Sequence, residues 1–366
     1  MKIAILADPL DNQRAGVHVF TRELITALIQ LGYADRLLLV RERIDPELPV
    51  EQLAVPNIHL PIGFASLRLF FIIPYLLRRR KEVVAVFEPA HFGPFNLPKR
   101  IKRITMIHDL TPILFPQYHR WHSQLLQRLF LRAILKKTDW VLTNSRYTQT
   151  DVARVFPFAQ QKVSHVYLGR HAAFKPTCNA ARIAELGIKL PYFLNVGTLE
   201  PRKNLLTLLA AFELFCLKNA GSNQQLILVG ELGWKAEPLV QTLDNHPFKT
   251  RIQRLGYVKF TDLPILYTHS QALIYPSEYE GFGLPIIEAL ACGTPVIAAQ
   301  NSSLAEIGEG AVVFFPTHDA QALSEEMEQV VRQPPPKEPL IEHAAQFSWL
   351  ACASGFMVLM DQLIGE

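Results

Sequence analysis

The stretch ALIYPSEYEGFGLPIIEALACGTPVIAA, residues 272–299, reads as one strand–loop–helix–strand unit. Ala272–Tyr275 and Pro295–Ala299 are short apolar runs of the kind found in strands buried on both faces of a parallel sheet. Leu284–Cys292 between them has helical spacing, and Pro285 suits a first helical turn. The loop carries Glu280, Gly281, Phe282 and Gly283. Gly281 and Gly283 let a ligand come close to the backbone, and the N–H groups of Gly281–Leu284 are expected to meet an anion or a sugar hydroxyl. Glu288 falls about one turn into the helix, on the loop side, so both carboxylates are expected to face the same ligand.

The same alternation runs outward in both directions. Lys2–Asp8, Leu37–Val40, Val83–Phe87, Ile104–Ile107 and Trp140–Thr143 read as strands in the front half. Tyr192–Val196, Gln225–Val229 and Ala311–Phe315 do so in the back half. Helical patterns occupy Gly16–Leu31, Asn204–Lys218, Asp262–Ser270 and Ala320–Val331. This predicts an α/β chain of two Rossmann-like, doubly wound parallel-sheet domains, residues 1–170 and 171–349. The linker is expected in 170–190, and Pro334–Pro336 mark a second break. Phe347–Leu363 reads as a last amphipathic helix.

Length and composition agree with two domains. The chain has 366 residues, of which 49% are apolar and 19% charged, enough core and too little charge for a disordered chain. Its 4 cysteines form no CxxC pair, which speaks against a disulfide framework or a zinc cluster. The N-terminus reads as a first strand and not as a signal peptide, and no apolar run is long enough to span a membrane. A reducing, cytoplasmic setting follows as the expectation.

A second cluster stands directly after the Tyr192–Val196 strand, in VGTLEPRKN, residues 196–204. Gly197 permits a tight turn, and Arg202 and Lys203 lie at the start of the next helix. The helix dipole disfavours cations there, so an anionic ligand explains them better than an ordinary exposed turn does.

Taken in order, these motifs resemble retaining glycosyltransferases of the GT-B fold, family 4 (glycosyl transferases group 1). The resemblance rests on the Glu280…Glu288 pair with its glycine loop and on the VGTLEPRKN turn. It also rests on Gly16 after the first strand, IHDLTPILFP at 107–116, TNSRYTQTDV at 143–152, LVGE at 228–231 and LGYV at 255–258. The Phe347-Ser-Trp349 segment resembles the start of the family's last helix, so residues 350–366 are expected to cross back to the N-terminal domain. The resemblance implies two facing domains and a nucleotide-sugar donor, GDP-mannose or a UDP-sugar, with no separate cofactor and no metal. It implies that Glu280, with the amides of Gly281, Phe282 and Gly283 beside it, holds donor-sugar hydroxyls. Leu284 continues that amide row, and Glu288 would bind the ribose. Lys203, helped by Arg202, would bind the diphosphate beside Gly197, Thr198 and Gly230. Tyr257 and Val258 would line the base pocket, His108 would face the sugar from the other domain, and Gly16 would let the first loop approach phosphates and acceptor. One departure is Thr198, where many members carry Arg directly after the glycine.

In a retaining transfer the departing diphosphate oxygen can take the acceptor's proton, so orientation and charge stabilisation become the protein's main tasks. Arg202 and Lys203 would then do what a divalent metal does elsewhere, in keeping with the lack of an Asp-x-Asp motif. The segments IHDLTPILFP and GTLEPRKN look most like bacterial mannosyltransferases of O-antigen or exopolysaccharide synthesis. A nucleotide-sugar epimerase on the same fold and a non-catalytic nucleotide-sugar-binding protein are the alternatives.

The charge is unevenly spread. Residues 1–170 carry 24 Lys and Arg against 13 Asp and Glu, while the remainder carries 13 against 20. Leu67–Leu77 is apolar and aromatic and precedes Arg78-Arg79-Arg80-Lys81; residues 120–137 mix Trp121, Leu125, Leu129 and Phe130 with Arg120, Arg128, Arg132, Lys136 and Lys137. Such segments fit contact with an anionic membrane surface and a saccharide or lipid-linked saccharide acceptor, with packing in the domain core as the plainer alternative. No recognition motif points to nucleic acid.

Overall fold

The computed structural model describes residues 1–12, 16–56, 68–90, 93, 96–118 and 130–365. The chain divides into two compact units, one comprising Met1–Gly169 with Ser348–Glu366 and the other Arg170–Phe347.

In the first unit the strands are β1 (Lys2–Leu6), β2 (Leu37–Arg41), β3 (Glu51–Ala54), β4 (Val83–Glu88), β5 (Lys102–Ile107), β6 (Trp140–Thr143) and β7 (Val163–His165). They form one parallel sheet in the order β3-β2-β1-β4-β5-β6-β7. Edge strands β3 and β7 were not expected from the sequence. They are short and only partly buried, and so lack the continuous apolar run of the central strands. The last helix, Trp349–Ile364, packs on the helix Gly16–Gln30 and on β4, with Phe356 and Phe87 ring centroids 4.8 Å apart. Asp361 meets Arg36 at 2.7 Å, and Ser348 caps the helix by accepting from the N–H of Ala351 at 3.1 Å. Gly169 lets the chain pass this helix start, because a Cβ there would lie 2.1 Å from the Trp349 nitrogen. The C-terminal segment therefore belongs to the first unit.

The second unit holds β8 (Tyr192–Val196), β9 (Gln225–Val229), β10 (Ile252–Gly256), β11 (Ala272–Tyr275), β12 (Val296–Ala299) and β13 (Val313–Phe315). They also form a parallel sheet, ordered β10-β9-β8-β11-β12-β13. Side chains alternate between two cores, as strand geometry requires. Tyr192, Leu194, Ile227, Val229, Leu273 and Tyr275 enter one core, whereas Phe193, Leu226, Leu228, Ala272 and Ile274 enter the other. Both faces are apolar because helices cover both, which is why these strands read as unbroken apolar runs. Residues 170–190 are not a bare connector. They contain the helix Ala180–Glu185, and Phe174, Ile183 and Ile188 are buried in the second unit. A helix at Lys337–Ala345 after the proline run was also unanticipated. Proline is tolerated in a first helical turn, so the run ends one helix and opens another.

Candidate functional site

In each sheet β1 or β8 lies centrally, and the order reverses beside it, so loops after neighbouring strands diverge and leave room for a ligand. In the second unit the polar side chains collect there. The turn after β8 continues into a single helical turn, Pro201–Lys203, and then into the helix Leu205–Lys218. Asn204 joins the two in the left-handed conformation, with φ of 52°, and its side-chain amide donates to the Pro276 carbonyl at 3.2 Å. The 276–283 loop is thereby fastened to the 197–204 turn. Glu278 donates its N–H to the Arg202 carbonyl at 2.9 Å, and Arg202 Nη1 donates to the Tyr279 carbonyl at 2.7 Å.

Glu280 sits at the junction. Lys203 Nζ lies 2.6 Å from its Oε1, Arg202 Nη1 lies 2.8 Å from its Oε2, and the Tyr275 hydroxyl donates to Oε1 at 3.1 Å. Burial works against its charge, yet the two cations outweigh burial and draw its pKa down to about 2. Burial likewise opposes the charge of Lys203, but Glu280 more than compensates and its pKa is raised. Tyr275, buried beside them, is pushed up to about 12 and stays a neutral hydroxyl. Ser302, at φ of 44°, accepts the Glu280 N–H at 3.0 Å, and Ser303 donates to the carbonyls of Glu280 and Phe282 at 2.9 Å.

The structure thus brings Arg202, Lys203 and Glu280 together, but not as open cations awaiting an anion. Both are largely buried and paired with carboxylates. Arg202 is held from its other side by Glu200, at 2.8 Å from Nη2, and Glu200 in turn accepts from Trp234 Nε1 at 3.1 Å. Glu288 is not part of this network. Its carboxylate accepts from the Tyr267 hydroxyl at 3.0 Å, and burial raises its pKa to about 7. The seven-residue spacing places the two carboxylates with separate partners.

The glycines earn their positions by contact. Gly230, at φ of 133°, donates its N–H to the Gly256 carbonyl at 2.8 Å, and a Cβ on it would lie 2.0 Å from the Gly197 oxygen. Gly197, at φ of 148°, lies over Lys203, whose Nζ would be 3.6 Å from a Cβ. Gly283 opens the helix Leu284–Ala291 in the left-handed region, at φ of 108°. Gly281 and Phe282 are buried, and the Phe282 ring meets Phe347 edge-on at 5.9 Å. Leu284 and Val258 are half-buried, Thr198 is exposed, and Tyr257 is 75% exposed with its N–H bonded to Glu231 Oε1 at 3.1 Å.

In the first unit, His108 follows β5. Its Nε2 lies 2.9 Å from the Pro89 carbonyl, which can only accept, so Nε2 carries the proton and Nδ1 is an acceptor. Burial lowers its pKa and keeps the ring neutral, and Phe20 packs edge-on against it at 5.1 Å. Gly16 is the exposed first residue of its helix, and among the described residues nothing lies within 4 Å of where a Cβ would stand.

The basic segments of the first unit are described in part. Phe71 and Tyr75 are exposed on the run Arg68–Arg79, and Arg79 lies over the Tyr75 ring at 4.2 Å. Arg68 is buried instead, paired with Asp8. Leu67 and the residues from Arg120 to Leu129, including Trp121, Leu125 and Arg128, lie outside the described residues. No helix among the described residues is long and apolar enough to cross a membrane.

Sequence reasoning quoted Glu200 and Tyr275 within motifs but gave them no role, and it missed Ser302, Ser303, Trp234 and Tyr267. Position at the carboxyl end of β11 was the available signal for Tyr275. Glu200 stands in the turn after β8, Trp234 in the loop after β9, Tyr267 on the helix Leu263–His269, and Ser302 and Ser303 open the helix Ser302–Ile307; none of them carries a local sign of its partner.

Comparison with known proteins agrees with this architecture. The family profile "Glycosyltransferase Family 4" matches residues 14–173, and "Glycosyl transferases group 1" matches residues 181–347. The chain is 30% identical to O-antigen chain mannosyltransferase B of Escherichia coli over 97% of its own length and 98% of that protein's. Among solved structures it is similar to sucrose-phosphate synthase from Thermosynechococcus elongatus, with a TM-score of 0.76, 21% identity and coverage of 100% and 99% of the two chains. It is also similar to Anabaena HepE in complex with UDP and glucose, with a TM-score of 0.72, 19% identity and 99% of each chain covered. With its two parallel sheets, its returning C-terminal helix and a full-length relative at this identity, the chain belongs to the family 4, group 1 glycosyltransferases of the GT-B fold.

Proposed function

We propose that this glycosyltransferase is a retaining, metal-independent mannosyltransferase that moves mannose from a nucleotide-diphosphate donor, GDP-mannose before a UDP-sugar, to a saccharide or lipid-linked saccharide of O-antigen type. The observation that carries it is the ion-pair cluster of Glu280 with Arg202 and Lys203, at 2.8 and 2.6 Å, directly beneath the Gly197 turn. Likeness to the mannosyltransferase of Escherichia coli over nearly the whole of both chains supports the choice of sugar.

Glu280, fixed by two cations and by Ser302 and Ser303, accepts hydrogen bonds from hydroxyls of the donor sugar. Lys203 and Arg202 lend positive charge to the departing diphosphate, where another enzyme would use a divalent ion. Gly197, Thr198 and Gly230 form the turn against which the diphosphate lies. Gly281, Phe282, Gly283 and Leu284 shape the loop that carries Glu280, Glu288 takes the ribose, and exposed Tyr257 with Val258 takes the base. His108 presents Nδ1 as an acceptor for a sugar hydroxyl, and Gly16 lets the first loop approach the phosphates and acceptor. Phe71, Tyr75 and Arg78–Lys81 provide peripheral contact with an anionic membrane at the inner face of the cell membrane.

Purified protein supplied with GDP-mannose and a mannose-terminated saccharide should release GDP and form an α-linked product in the presence of EDTA. A β-linked product, or activity lost in EDTA and restored by Mn²⁺, would overturn the retaining or the metal-independent part respectively.

A further inference from the structure

The charge balance of the site leaves a question that the proposed nucleotide-sugar function makes sharp. Arg202 and Lys203 are the cations at the Gly197 turn, and Glu280 and Glu200 face them as carboxylates at 2.6 to 2.8 Å. Before any ligand arrives these four charges cancel. A nucleoside diphosphate brings at least two negative charges into this spot, so a cluster of zero net charge is a poor acceptor for it.

The loop after β9 brings a further lysine, Lys235, alongside this turn, while the Glu231 carboxylate on the same loop is turned to the Tyr257 N–H at 3.1 Å. Leu199 donates its N–H to the Glu231 carbonyl at 2.9 Å, and Gly233 donates to the Leu199 carbonyl at 2.9 Å, so residues 231–233 run alongside the 197–200 turn. The approach is close enough that a Cβ on Gly233 would lie 2.9 Å from Thr198 Cγ2 and 3.0 Å from Glu200 Cβ. Trp234 then binds Glu200, and Lys235 follows with its Nζ 5.5 Å from the Trp234 ring centroid. Lys235 is exposed, and its φ of 55° is left-handed. A residue with a Cβ is strained there, and strain of this kind collects at ligand sites. Gly or Asn would hold the turn more easily; a long cationic side chain is what this position has instead.

We propose that Lys235 is a diphosphate-contacting residue of the donor site, exchanging its place over the Trp234 ring for the exposed Thr198 side of the turn to add a third cation to Arg202 and Lys203 when the diphosphate binds. This rests on the nucleotide-sugar reading of the site. No covalent step is involved.

Calorimetric titration of the full chain with GDP, GMP and guanosine, and with the uridine series in parallel, tests it in the wild type, Lys235→Ala, Lys235→Gly and Lys235→Arg. Lys235→Gly relieves the left-handed backbone, so it separates loss of the cation from damage to the turn. The expected result is that Lys235→Ala and Lys235→Gly both weaken binding of the diphosphate by about tenfold, leave the nucleoside unchanged, and that Lys235→Arg restores most of the loss. The loss should shrink as salt is raised. Unchanged diphosphate affinity in Lys235→Gly, or equal loss for diphosphate and nucleoside, would overturn the role of Lys235 while leaving the nucleotide site standing. A wild type that binds neither GDP nor UDP would overturn the nucleotide-sugar reading and this proposal with it.

Discussion

Lys203 Nζ and Glu280 Oε1 lie 2.6 Å apart across 77 residues of chain, and neither side chain has appreciable contact with water. Burial opposes the charge of both; Glu280 does most to keep Lys203 charged, while Arg202 and then Lys203 keep Glu280 charged. Replacing Glu280 by Gln keeps the shape and removes the charge, so transfer should fall by about 100-fold or more while the fold persists. Replacing it by Ala removes the hydrogen-bond acceptor of buried Lys203 along with the carboxylate, which costs about 3–5 kcal/mol on the pattern of broken buried pairs. Turnover and thermal melting of the two variants check both statements.

The same pair sets an acid limit. The pKa of Glu280 is depressed to about 2, so its contribution to stability is fully present above the ordinary carboxyl range and is lost as pH falls toward 2. Between pH 4.5 and 2 the wild type should lose stability more steeply than Glu280→Gln. Parallel slopes in denaturant titrations across that range would contradict the ion-pair assignment.

Glu288 behaves in the opposite way. Burial raises its pKa to about 7, so the folded state favours the protonated carboxyl, and ionisation above the ordinary carboxyl range costs stability up to about pH 7. Glu288→Gln should therefore gain in melting temperature relative to wild type as pH rises from 5 to 7.5. A ribose hydroxyl is bound better by the carboxylate, so nucleoside affinity of the wild type should rise from pH 6 to 8 and that of Glu288→Gln should stay flat.

Two glycines should respond differently to alanine. A Cβ on Gly230 would lie 2.0 Å from the Gly197 oxygen at a left-handed φ, so Gly230→Ala should cost about 2 kcal/mol or more and melt visibly earlier. Among the described residues nothing lies within 4 Å of a Cβ on Gly16, which begins a helix, so Gly16→Ala should melt at or above the wild-type temperature. If Gly16 serves substrate approach, that variant loses transfer without losing stability.

Phe71 and Tyr75 are exposed beside a row of arginines, and co-sedimentation with vesicles containing anionic lipid at low salt checks what they do. Wild type should pellet with the vesicles, and Phe71→Asp with Tyr75→Asp should stay in the supernatant. Equal behaviour of both would remove the membrane contact from the account.

The two sheets were legible because their central strands are apolar on both faces, and Tyr192–Val196 or Ala272–Tyr275 could be read without knowing any partner. Short edge strands such as Glu51–Ala54 carry no such run and were not. At the site, Glu280, Lys203 and Arg202 were legible as residue types in a pattern, but their pairing was not, because it depends on how two loops 77 residues apart in sequence meet. Ser302 and Ser303 hold Glu280 through main-chain bonds, and serines beside an ordinary helix start give no sign of that. Residues 170–190 misread as a linker because their three buried apolar residues are too far apart to make a periodic pattern.

A crystal structure of the wild type with GDP-mannose bound tests the central claim most directly. The donor's diphosphate should lie on the 197–204 turn, within hydrogen-bond reach of Lys203, with Glu280 on the hexose hydroxyls. A diphosphate bound away from both the 197–204 turn and the 280–288 segment would contradict it.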